Sequence, residues 1–184
     1  METTITGKLE QMAFALQDAN ARELKSLGNS LIGEAALRND KDAALLSVIS
    51  YSLYKMLTKE HFTRDPVWKK VTQTLNSSLL QALDAAKRND TSDFSKNLAN
   101  SIEKIERVDN ELSNYARNIF EKAKIKQASS AYAAGLSLKL AAELTGADSK
   151  DLQKYIGATR IHDEQPGTKN IEQRMRSLRE VLGK

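Results

Sequence analysis

The sequence predicts an all-α fold: an N-terminal helical bundle, then a compact helix-turn-helix, then a C-terminal amphipathic helix. Apolar residues recur at spacings of three and four along most of the chain, no stretch alternates with period two, and only 2 Pro and 8 Gly interrupt 184 residues. The spacing puts apolar side chains on helical stripes rather than on one face of a strand. The scarcity of Pro and Gly leaves room for long helices, because Pro removes a backbone donor and Gly is costly to order. A hydrophobic share of 40% and a charged share of 28% suit a globular chain able to bury a core.

Each element follows from local signals. Ile5, Leu9, Met12, Leu16 and Ala19 form one seam, which predicts a helix over 4–26 that stops near Gly28. A second helix over about 30–38 ends at Arg38-Asn39-Asp40, where Asp40 can cap the next helix by accepting from its free N–H groups. That next helix, 41–60, is apolar nearly all round (Leu45, Leu46, Val48, Ile49, Leu53, Met56), which predicts the centre of the core. Asp65-Pro66 is a start signal, and Val67, Val71, Leu75, Leu79 and Leu83 carry the following helix to about 88. Beyond Thr91-Ser92 another stripe (Phe94, Leu98, Ile102, Ile105, Val108) runs on towards Leu112, Tyr115, Ile119 and Phe120. The pattern A-x-R-N-D occurs at both Ala36–Asp40 and Ala86–Asp90. Its flanks differ (Leu45 against Ser95, Leu46 against Lys96), so it reads as shared turn chemistry rather than duplication.

Composition narrows function. The chain has no Cys, which removes disulfides and thiolate chemistry and suits a reducing cytoplasm. The start, Met1-Glu2-Thr3-Thr4-Ile5, lacks the basic and apolar regions of a secretory leader, and the apolar run 43–57 is too short and too often broken by Ser to cross a bilayer, so no membrane role is expected. Residues 1–120 balance 16 Lys+Arg against 16 Asp+Glu, whereas residues 121–184 hold 12 against 8, so the net +4 lies in the last third. A neutral body with a basic end is the footprint expected of a nucleic-acid binder.

The densest set of signals begins at residue 121. Gly135 stops one helix, Ser137 can cap a second over 138–145, Gly146 makes a tight turn, and Asp148 or Ser149 caps a third over 149–156. The small pair Ala141-Ala142 allows two helices to cross closely, and Leu152 and Tyr155 lie where a helix-turn-helix places its inner side chains. Ala131-Tyr132, Gly135, Ser137-Leu138, Ala141-Ala142-Glu143-Leu144 and Gly146 together resemble the compact helix-turn-helix of archaeal and bacterial proteins that include small antitoxins paired with PIN-domain toxins. The resemblance covers residues 123–157. It departs from those proteins at Lys150-Asp151, where they carry an apolar aromatic. It implies a non-enzymatic, DNA-binding regulator of transcription whose last helix enters the major groove of double-stranded DNA. Ser149, Lys150, Gln153 and Lys154 would then face bases or phosphates, with Lys124, Lys126, Lys139 and Arg160 on the backbone. Against this, Lys139, Lys150 and Lys154 are matched by Glu143, Asp148 and Asp151. The alternative is an antitoxin-like or scaffolding protein that grips a protein partner.

Residues 1–120 are read as a dimerising or interaction body, 121–160 as the helix-turn-helix, and 161–184 as a linker with an amphipathic helix. That last helix carries Ile171, Met175, Leu178 and Leu182 as its stripe, a surface over 168–184 for the body, a second copy in a homodimer, or a protein partner. His61 and His162 are too isolated for a metal site. There is also no phosphate-cradling loop and no nucleophile–base set, so neither catalysis nor a cofactor is expected.

Overall fold

The structure, a computed structural model, describes residues 3–112 and 119–158, and every described secondary-structure element is helical. In order these are α1 (Thr3–Gln17), α2 (Ala21–Arg38), α3 (Lys41–Leu57), the single turn α4 (Glu60–Thr63), α5 (Trp68–Lys87) and α6 (Thr91–Leu112). They are followed by α7 (Ile119–Ala133), α8 (Leu138–Thr145) and α9 (Ser149–Ala158). Arg160, the linker and the C-terminal amphipathic helix lie outside the described residues.

Two hairpins, α2–α3 and α5–α6, form the body, with α1 laid against α5 and α2. The apolar helix expected at the centre is there: α3 touches α1, α2, α4, α6, α7 and α8. Its Leu46, Val48, Ile49, Leu53 and Met56 are wholly buried, each stabilising the fold by about 1.5–3 kcal/mol relative to exposure. The serines that interrupt this helix are buried without penalty because each hydroxyl donates to a carbonyl. Ser47 and Ser52 donate within α3, and Ser50 Oγ reaches the Leu24 carbonyl of α2 at 2.7 Å.

The helix expected over 4–26 is instead divided at Asp18-Ala19-Asn20. Ala19 adopts a left-handed conformation (φ 51°), the Asn20 N–H returns to the Ala15 carbonyl at 2.8 Å, and Asn20 Oδ1 accepts from the Glu23 N–H at 3.1 Å. Gly28, which the sequence offers as a terminator, lies inside α2. A Cβ there would stand 3.2 Å from the Ser47 carbonyl oxygen, so its missing side chain is what lets α2 and α3 close on each other.

One turn device recurs. Ala15, Ala35, Ala85, Ala131 and Ala142 each accept from the N–H five residues on, over a left-handed residue at Ala19, Asn39, Asn89, Gly135 and Gly146. This closes the helix C-terminus and satisfies its last carbonyls. In the first three turns the same residue that closes one helix caps the next. Asp40 Oδ1 accepts from the Asp42 and Ala43 N–H groups, and Asp90 Oδ1 from that of Asp93. Ala19-Asn20 makes the same turn without the A-x-R-N-D pattern, in keeping with turn chemistry as the source of that echo.

Candidate nucleic-acid interface

The candidate interface is built on α7. Its start is anchored by α6: the buried Asp109 accepts from the Phe120 N–H at 2.9 Å. α7 then packs on α2 and α3 while also carrying α8 and α9, so Ile119, Phe120, Ala123, Ile125, Ala128, Ala131 and Ala133 are buried around most of its circumference. Gly135 (φ 110°) ends it, and Ser137 Oγ caps α8 by accepting from the Leu140 N–H at 3.2 Å. Ala141 and Ala142 are buried, as close crossing of α7 and α8 requires.

Gly146 (φ 70°) turns the chain into α9, whose cap is Asp148. Asp148 Oδ1 accepts from the Lys150 and Asp151 N–H groups, both at 2.9 Å. The bond from Asp151 is the main cause holding this carboxyl below its usual range, with that from Lys150 and the charges of Lys150 and Lys154 adding to it. Leu152 is wholly buried beneath α9, and Tyr155 and Ile156 are half-buried beside it. On the other side Ser149, Lys150, Gln153 and Lys154 stand exposed together.

Two of the lysines on this surface are ion-paired. Lys154 Nζ lies 3.5 Å from Asp151 Oδ1, and on α8 the exposed Lys139 lies 3.8 Å from Glu143. Lys124 and Lys126 are placed elsewhere. Lys124 is largely covered, donates to Glu121 at 2.7 Å, sits 4.7 Å above the Phe120 ring, and borders a groove shared with Asp42, Glu106 and Glu143. Lys126 turns into a cleft between α2, α3 and α7, where Lys25 and Lys55 meet it. Burial first, then the charges of Lys25 and Lys55, push its ammonium below the ordinary lysine range. These two partners have no sequence signal linking them to Lys126, since three separate helices supply the cluster. Arg160 is outside the described residues.

Among the described residues no group of His, Asp or Glu could hold a metal ion, and no helix is long and apolar enough to cross a membrane. Neither a family model, nor a curated protein, nor a solved structure matches the chain.

Proposed function

We propose that the chain is a DNA-binding regulator that reads duplex DNA with α9. The observation that carries this reading is the two-sidedness of α9. Leu152 is wholly buried and anchors one side, while Ser149, Lys150, Gln153 and Lys154 form a continuous polar strip on the other. Lysine, glutamine and serine side chains supply the donors that base edges and phosphates accept. A rigid helix presents them without the entropy cost of ordering a loop.

The pairing of Lys139 with Glu143 and of Lys154 with Asp151 favours a second reading, in which the same strip docks on a protein. Salt separates the two. Each phosphate contact adds about −0.9 to the slope of log affinity against log salt on duplex DNA. The full chain is therefore titrated onto a labelled duplex by fluorescence anisotropy across a range of salt. The DNA reading expects salt-steep binding, with Lys150→Glu plus Lys154→Glu lowering the slope by about 2 and weakening affinity tenfold or more. Duplex affinity that is negligible, or indifferent to these substitutions, overturns it in favour of the protein partner.

A further inference from the structure

The cleft between α2, α3 and α7 has a volume of about 490 Å³ and is lined by Lys25, Lys55 and Lys126 with the rings of Tyr51 and Tyr54, and among the described residues no carboxylate lines it. Two of the ammonium groups are held over the rings: Lys25 Nζ lies 5.6 Å from the Tyr54 centroid, and Lys55 Nζ lies 5.5 Å and 5.1 Å from those of Tyr51 and Tyr54. The rings brace each other edge to face at 5.4 Å. Elsewhere several of the described cations sit beside acids, as Lys8 does with Glu34 and Arg88 with Asp84 and Asp93. Here three like charges converge on one recess, an arrangement that works against the folded state unless an anion offsets it.

We propose that this cleft binds a small ligand through a multiply charged phosphate group, gripped by Lys25, Lys55 and Lys126. A single negative charge would leave most of the cluster uncompensated, whereas a diphosphate or phosphate ester supplies two or more charges on compact acceptor oxygens. The two tyrosine rings give the rest of such a ligand an apolar wall, and the volume is that of an ordinary small-molecule site. The recess favours a free ligand over the backbone of a duplex, because Lys126 is half-buried in the crease between helices and a stiff double helix cannot follow it there.

The test is thermal unfolding of the full chain in low-salt buffer with inorganic pyrophosphate, against sodium chloride of equal ionic strength and against citrate. Pyrophosphate is expected to raise Tm by about 5 °C or more near saturation, well beyond the effect of chloride or citrate. Lys126→Met is expected to unfold no earlier than the parent in plain buffer, having lost one of three repelling charges, and to lose most of the pyrophosphate shift. Lys25→Gln, at an exposed position, is expected to lose much of it as well. Lys150→Glu plus Lys154→Glu should keep the full shift, which separates this site from the reading of α9. The proposal is overturned if chloride reproduces the shift, if citrate matches pyrophosphate, or if both cleft variants retain the shift. It is equally overturned if pyrophosphate does nothing, and a duplex affinity that depends on Lys126 would then assign these lysines to DNA.

Discussion

Asp109 illustrates how much one side chain can settle. It is wholly buried at the end of α6, and its Oδ2 accepts from an amide at the start of α7, one of the helical N–H groups with no carbonyl partner in their own helix. Asp109→Ala strands that amide and removes a negative charge from the positive end of the helix. A loss of about 2–3 kcal/mol is expected, read as a lower urea midpoint with an unchanged m-value. In the sequence Asp109 is one acid among several along a helical stripe. Nothing local marks it, because the amide it serves lies eleven residues away and is brought near only by folding.

At the scale of elements, the turns fix where helices end, and Ala19 is the weak member of the set. An L-residue in the left-handed region is strained by about 1–2 kcal/mol, and Asn39 and Asn89 tolerate that region better than Ala does. Ala19→Gly is therefore expected to stabilise the α1–α2 turn by about 0.5–1 kcal/mol after the entropy of Gly is deducted, read as a higher Tm with unchanged far-ultraviolet circular dichroism. The same comparison explains which helices were legible. The bounds of α8 follow from the text because Ser137 and Gly146 are local cap signals. The break between α1 and α2 does not, because its left-handed residue is Ala and the apolar seam runs through it. Gly28 looked like the stop, but its lack of a side chain serves the contact with α3, a tertiary purpose that a linear pattern does not express.

For the whole molecule, the telling mismatch is between where charge lies in the sequence and where it lies in space. The surplus of the last third suggested one basic surface, yet Lys126 joins Lys25 and Lys55 of the body while Lys139 and Lys154 are paired with acids. The all-α class and the exposed strip on α9 could be read from periodicity and caps; the lysine cleft could not, because α2, α3 and α7 meet there only after collapse. Its surroundings also make stability depend on pH in the alkaline range. Tyr51 is pushed up to about 12, by burial first and then by the neighbouring Tyr54 and Tyr155. An unfolded phenol ionises near about 10. Between those values the native state holds the extra proton, so stability falls as pH rises through that window. Tyr51→Phe is expected to flatten this fall, followed as Tm from pH 9 to 12. Lys126 has the opposite sign. Its lowered value means the unfolded chain binds more protons as pH climbs towards the ordinary lysine range, so its contribution to stability improves over that interval.

Because α7 completes the packing of α2 and α3 on one flank and supports α8 and α9 on the other, it belongs to two structures at once. Severing the chain ahead of it would bare a greasy trough on the body and leave the detached piece with an unsheltered spine. The segment from α7 to α9 is therefore not a self-contained cassette, since its first helix shares its core with the body.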